Sequence, residues 1–260
     1  MKAAKSFAFG LDLTAAYTYT QSKSVNSGTN SVAQSNFRYN YTHGNSNEPE
    51  LGYSAYNIPH KIVISAFYTK EYAKHFSTTV GLIYTGSTGA PYSVYYYGDL
   101  NGDGADGNDL MFIPTDAQID QMSFKAGSGY TEEQQRANMK QWLASDDYLS
   151  KHRGEYFERY AANDPFEHHF DFHAAISFKF TTGKYVHKFE LSGDILNIGN
   201  MFNKEWGRYS SAAGSASYYS PVTYAKNGQF QFLHDGDYNM HSYSDYYSRW
   251  RGQIGLKYTF

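Results

Sequence analysis

Asp99, Asn101 and Asp103 alternate along the chain, and Gly104 follows them. Side-chain oxygens at that spacing, closed by a glycine free to turn sharply, make the first half of an EF-hand-like loop, which holds calcium through about 6–8 oxygen ligands. The twelfth position, where such a loop carries a bidentate glutamate, is Leu110; the nearest acids are Asp106 and Asp109. The expected metal ligands are therefore Asp99, Asn101, Asp103 and Asp109, and a calcium ion there would stiffen a loop and do no chemistry of its own. A loop rich in Asx turns, without metal, satisfies the same pattern.

His169, Asp171 and His173 form a second constellation. On a strand they share one face with side chains about 6.5–7 Å apart, too far for all three to chelate one small ion without curvature. They read as polar residues lining a lumen and bonded to neighbouring strands. The sequence has no Gly-x-Ser-x-Gly, no paired acids at workable spacing and no phosphate loop. The expectation is a protein that is not an enzyme.

The elements that must position these residues are strands. From Trp250 to Phe260 large apolar or small residues (Trp250, Gly252, Ile254, Leu256, Tyr258, Phe260) alternate with Arg251, Gln253, Gly255, Lys257 and Thr259. Strict alternation means two different solvents on the two faces. A bilayer-spanning strand needs about 9–11 tilted residues, apolar outside, polar inside, with aromatic residues at both interfaces. The stretch Tyr246–Phe260 meets that description, and so do Ser6–Thr20, Ile58–Lys70, Phe76–Thr85, Phe166–Phe180 and Lys188–Ile198. Val63 and Phe67 blur the second of these.

Composition points the same way. The 260 residues include 27 Tyr and 18 Phe, yet mean hydropathy is -0.64. Aromatic enrichment with a polar average fits a barrel whose lumen and loops are wet. No apolar run approaches the roughly 18 residues of a spanning helix. Zero Cys excludes disulfides and thiolate metal sites, and a net charge of -3 without a basic stripe gives no reason to expect nucleic acid. The N-terminus lacks the apolar core of an export signal, so the expectation is that the true N-terminus lies upstream.

The connections alternate in length: 21–55 long, 71–75 short, 98–165 long, 181–185 short, about 207–245 long. Outer-membrane barrels put short turns on the periplasmic side and long loops outside. Residues 98–165 are the longest insertion and carry one expected helix, capped by Thr131 with Gln134 completing a capping box and with Met139, Trp142 and Leu143 as an apolar stripe. Tyr92, Tyr95, Tyr96 and Tyr97 are expected at or above the membrane surface, as an interface girdle plus loop packing. Asn227-Gly228 marks a hairpin between Val222–Ala225 and Gln229–Leu233. Six wall strands, or eight with that hairpin, are counted; six cannot close a lumen, since the smallest single-chain barrels use about eight. The segment must complete a larger wall.

Two places carry a resemblance. Asn200-Met-Phe202-Asn203-Lys-Glu-Trp206 resembles the Asn-Leu-Phe-Asp-Lys-x-Tyr signature of TonB-dependent outer-membrane transporters, with Asn for Asp and Trp for Tyr, and Trp250–Phe260 resembles their closing strand. A closer likeness is to the large-looped receptors with an Asp-x-Asn-x-Asp-Gly segment followed by Asn-Asp-Leu-x-Phe-Ile-Pro, here Asp99–Gly104 and Asn108–Pro114; the likeness covers most of 55–260. What it implies is an all-β fold, an antiparallel transmembrane β-barrel segment that is the C-terminal part of a wall of about 22 strands, with long extracellular loops. It implies the cell outer membrane of a Gram-negative bacterium and uptake of a nutrient (a glycan, a peptide or a metal chelate), powered from the inner membrane. The implied partners are outer-membrane lipid, the N-terminal barrel and plug that this chain lacks, the inner-membrane energy-coupling complex reached through them, and the barrel-insertion machinery, for which Tyr258 and Phe260 are the assembly signal. Glycan-importing relatives add a surface lipoprotein lid. The rival expectation is a structural or adhesion barrel, or a small autonomous outer-membrane barrel, without active transport.

Overall fold

The structure, a computed structural model, describes residues 1–72, 75–125, 129–211, 218–219, 223–224, 230–234 and 241–260. Its frame is a seven-stranded sheet: β1 (Lys2–Ser6), β2 (Leu11–Tyr19), β3 (His60–Tyr72), β4 (Phe76–Ser87), β5 (Glu167–Thr182), β6 (Tyr185–Leu196) and β7 (Arg251–Thr259). Each strand pairs antiparallel with the next in the chain. β1 and β7 pair on one side only, so the sheet is open and no barrel is closed. Among the described residues no helix is long and apolar enough to cross a membrane.

The wall has seven strands where six were expected, because Ser6–Thr20 is not continuous. The chain turns at Phe7–Gly10, with Phe7 N–H bonded to Leu11 O at 2.8 Å and Gly10 N–H to Phe7 O at 3.0 Å. Gly10 takes φ +97°, and a Cβ there would lie 2.1 Å from Thr69 O. Only glycine meets both demands. The last strand also begins later than expected, at Arg251, after a short helix Asp245–Ser248 capped by Ser244. Ser6–Leu11, Tyr72–Phe76 and Thr182–Tyr185 are short joints; 20–59, 88–166 and 197–250 are long ones. The alternation of lengths holds through the extra hairpin.

The two faces of the sheet differ in kind. On one, Phe76, Phe178, Phe189 and Tyr258 stand side by side in register, with ring centroids 4.8 Å apart for Phe76–Phe178 and 4.6 Å for Phe189–Tyr258. Nearer the long connections Tyr84 pairs with Phe170, rings 5.0 Å apart, and Tyr17 and Tyr19 flank His60. Between these rows lie Ile64, Val80, Leu82, Ile176, Leu191, Ile254 and Leu256, all exposed, Ile254 at 83%. The other face is polar: Ser177 donates to Glu190 at 3.0 Å, and Thr69 and Thr79 share a hydrogen bond at 3.0 Å. Phe67 lies on this polar face, over Gly81, which accounts for the blurred alternation there.

The packed core sits in the long connections. Val94, Met111, Ile113, Ile119, Phe124, Met139, Leu143, Leu149 and Phe157 are fully buried against one another. Of the helices in the connections, α1 (Ala33–Arg38) buries no side chain, while α2 (Asp116–Gln121) and α3 (Glu132–Ser145) both bury residues in this core. α3 is capped by Thr131 and Gln134, as the sequence predicts, and buries Met139, Trp142 and Leu143. Tyr92 and Tyr96 are buried in this core and do not belong to the girdle, while Tyr97 is exposed. The pairing Thr223–Gln231 and Tyr224–Phe230 forms a two-stranded unit apart from the wall, so the count of eight fails; its turn, including Asn227 and Gly228, lies outside the described residues.

Candidate functional site

The acidic loop folds around Asp99. One oxygen, Oδ1, accepts the N–H groups of Gly102 and Asp103 at 2.7 and 3.0 Å, and Oδ2 that of Gly104 at 3.0 Å. Gly104, at φ +85°, makes the turn. Asp103 Oδ1 accepts from Ala105 N–H at 2.8 Å, and its Oδ2 from the Ser46 hydroxyl and from Asn101 Nδ2 at 3.3 Å. Asp109 reaches back across the mouth of the loop: its Oδ2 accepts the N–H groups of Leu100 and Asn101 at 2.5 and 3.3 Å. The structure thus gathers Asp99, Asn101, Asp103 and Asp109 in one place.

Among the described residues Asp106 pairs with Arg38, whereas Asp99, Asp103 and Asp109 make no salt bridge. Asp109 is 4% exposed, and burial followed by the neighbouring charges of Asp103 and Asp99 raises its carboxyl above the usual range. Asp103 is partly desolvated, yet hydrogen bonds from Ser46, Ala105, Asn101 and Asn108 hold it below that range. In this loop Asp109 Oδ1 and Asn108 Oδ1 are buried without a partner among the described residues. As the side chains stand, no three His, Cys, Asp or Glu among the described residues form a chelate. The sequence pattern did not reveal Asn108, whose Nδ2 donates to Ser46 Oγ at 3.0 Å, or Gly44, whose carbonyl accepts from Asn101 Nδ2 at 2.9 Å. Ser46 and Gly44 belong to a different connection, and no local signal links them to the loop.

Beside the loop lies a cleft of about 410 Å³, lined by His43, Tyr96, Asn101, Asp109, Phe112 and Tyr156 among others. His43 stacks on Tyr156 at 4.7 Å and Phe112 meets Tyr156 edge-on at 5.1 Å. Aromatic and apolar residues with a few polar groups among them are the usual lining of a small-molecule pocket. Outside the cleft lies Arg159, 4% exposed, whose guanidinium donates to Val25 O and Asn40 Oδ1 at 2.6 Å each, to Ser24 O and to Glu50 O at 3.3 Å. One side chain from the second long connection therefore ties down the first.

His169, Asp171 and His173 are not brought together. His173 Nδ1 lies 2.6 Å from Asp194 Oδ1, Asp171 Oδ1 accepts from Asn197 N–H at 2.8 Å, and His169 Nε2 is 3.4 Å from Glu167 Oε2. Each binds its own neighbour: His173 reaches Asp194 on the adjacent strand β6, whereas the partner of His169, Glu167, lies on the same strand.

Around residues 200–206, a short helix α4 (Ile198–Phe202) follows Asn197, which takes φ +52°. The Asn197 amide donates to Gly207 O at 2.8 Å and Ser248 O at 2.7 Å, joining the start of this connection to its end beside β7. Gly207 lies so close that a Cβ there would be 1.8 Å from Asn197 Oδ1, and its φ is +61°. At the far end of β7, Tyr258 stacks on Phe189 and on Phe260 at 5.5 Å, its hydroxyl 2.7 Å from His187 Nδ1, and Phe260 is 81% exposed. Comparison with protein-family models, with curated proteins and with solved structures finds no match to this chain.

Proposed function

We propose that this chain is a wall segment of an outer-membrane β-barrel, the portion that TonB-dependent transporters place at the end of their barrel, in a protein that imports a nutrient with energy from the inner membrane. One observation carries the reading: an aliphatic band, exposed across the sheet and bounded by two aromatic rows, on a chain whose packed core lies in its connections. A soluble sheet buries its apolar face; here that face is open on strand after strand, and a bilayer is the solvent that stabilises it. From Phe170 to Phe178 the strand rises about 27 Å, which a tilt of about 35–45° reduces to about 19–22 Å, near the height of the apolar band of such barrels. Unpaired backbone groups at the edges of β1 and β7 would cost several kcal/mol each in lipid, so further strands must close the wall.

In this reading the long connections face the outside and capture the nutrient, and the short joints face the periplasm. The motifs at 99–114, 200–206 and 250–260 supply the transporter assignment within that frame. Tyr258 and Phe260, stacked and exposed at the periplasmic end, are accessible to the barrel-insertion machinery. The plug and the energy-coupling contacts belong to other parts of the protein.

Surface proteolysis tests the topology. In cells expressing the full-length protein, protease added outside should cut within 98–165 and leave an epitope placed at 183–184 untouched until the outer membrane is breached. Recovery of the protein in the soluble fraction, or cleavage at the short joints of intact cells, overturns the assignment. Uptake that persists after collapse of the proton-motive force would leave the barrel but refute active import.

A further inference from the structure

We infer that the groove where the start of β5 meets the last long connection holds one lipid with an anionic, phosphate-bearing headgroup, its acyl chain against Phe166, Phe170 and Trp206 and its phosphate at Arg208. The inference rests on the membrane reading above, and adds to it a lipid held at one fixed place on the wall.

The groove measures about 660 Å³ and is lined by Phe166, His168 and Phe170 from the strand and its approach, and by Trp206, Arg208 and Tyr243 from the connection, among others. Phe170 stands beside Tyr84 in register, rings 5.0 Å apart, and His168 Nδ1 lies 2.8 Å from the Tyr84 hydroxyl. The strand side of the groove therefore belongs to the aromatic row that bounds the exposed aliphatic band. Phe166, Phe170, Trp206 and Tyr243 are all exposed, Trp206 at 57%. In water this slot would leave four rings wet. At a membrane interface, where Trp and Tyr rings settle, a hydrocarbon chain continuous with the bilayer fills it.

Arg208 supplies the polar end. Its guanidinium lies over the Tyr243 ring, 4.7 Å from the centroid; Nη2 meets Glu205 Oε2 at 2.5 Å and Nε lies 3.4 Å from Lys204 O. Nη1 is left without a protein partner among the described residues. A guanidinium stacked on a ring and fixed on two sides is set in advance for the phosphate oxygens that its planar fork matches. Lys204, with its side chain 89% exposed, stands 4.0 Å from Glu205, so residues 197–211 carry two cations, Lys204 and Arg208, against one carboxylate. Glu167, the other acid of the lining, is already engaged by Ser210 N–H at 3.2 Å and lies 3.4 Å from His169 Nε2. The excess charge is positive, which selects an anionic headgroup. A lipid there bridges β5 and the connection, so membrane composition sets how firmly residues 205–210 are seated beside the wall.

Lipids brominated in the acyl chain quench the tryptophans they touch, and Trp206 lines the groove. With the full-length protein in phosphatidylcholine vesicles, the emission lost in Trp206→Phe isolates Trp206, and that lost in Trp250→Phe isolates Trp250, just before β7. Brominated phosphatidylglycerol should quench Trp206 at a severalfold lower mole fraction than brominated phosphatidylcholine does. Arg208→Gln should remove that preference, and Lys184→Gln, at the opposite end of the sheet, should leave it intact. Equal quenching of Trp206 by the two lipids, or a preference that survives Arg208→Gln, overturns the inference, while quenching of Trp250 keeps the membrane reading standing. Quenching of neither tryptophan by either lipid overturns both. The comparison of the two lipids needs no change at Arg208, so it decides even where Arg208→Gln does not fold.

Discussion

Val80→Arg tests the orientation of the sheet. Val80 is 46% exposed and sits midway along β4 between Phe76 and Tyr84, in a cross-strand row with Tyr68, Ala174, Gly193 and Ile254. If the aromatic rows mark the two interfaces, this row is the bilayer midplane. A lipid-facing Arg there costs about 2–4 kcal/mol, against about 0–1 near an interface. At about 1.4 kcal/mol per decade, Val80→Arg should lower the folded-to-unfolded ratio roughly 30- to 700-fold, and Tyr84→Arg by no more than about fivefold. Urea titration in phospholipid vesicles, read by tryptophan fluorescence, measures both. In water a half-exposed Val changed to Arg shifts stability by only about 0.5 kcal/mol either way. Equal effects of the two variants, or stable folding without lipid or detergent, would refute the reasoning.

Other outcomes follow from the loop layer. Gly207→Ala should destabilise the 197–250 connection by more than about 3 kcal/mol, because its Cβ collides with Asn197 and its φ is left-handed; hydrogen exchange at Tyr209 and Ser210 should rise while β3–β5 stay protected. Arg159→Met removes a buried donor to four acceptors, three of them carbonyls, and should cost about 3 kcal/mol or more, seen as rapid proteolysis of 20–59 with an intact sheet signal. Asp109, with its carboxyl raised, favours the fold below the unfolded value of 3.8 and loses that contribution as pH rises through its folded value. In melts of the loop layer the contribution of Asp109 should therefore fall as pH rises through its folded value, Asp109→Asn should remove it, and Asp103, whose carboxyl is lowered, contributes in the opposite direction.

Much of the wall was legible because a period of two needs no long-range information: Phe170 to Phe180 announces its faces residue by residue. The first hairpin was missed because alternation ran through the turn, with Gly10 as its sole marker. The helix at 116–121 carries a capping box, Thr115 with Gln118, but its six residues are too few to show a helical period. Arg159 was beyond reach, since its partners lie more than a hundred residues away, and the same holds for Ser46 beside Asp103. The acidic spacing showed which side chains would gather, but not that Asp109 and Asn108 would be left with idle oxygens; that depends on how two distant connections fold over them.

Surface connections usually drift freely in sequence while the scaffold stays fixed. Here Met111, Ile113 and Phe157 are shut inside the connections, whereas Ile254 and Leu256 touch no protein interior. Tolerance to change is therefore turned about: one aliphatic residue can replace another along the sheet at little cost, while trimming Phe157 or Met139 opens a void. On the proposed reading, variants with altered ligand preference should arise among residues that line the cleft, such as His43 and Tyr156, without disturbing the packing beneath.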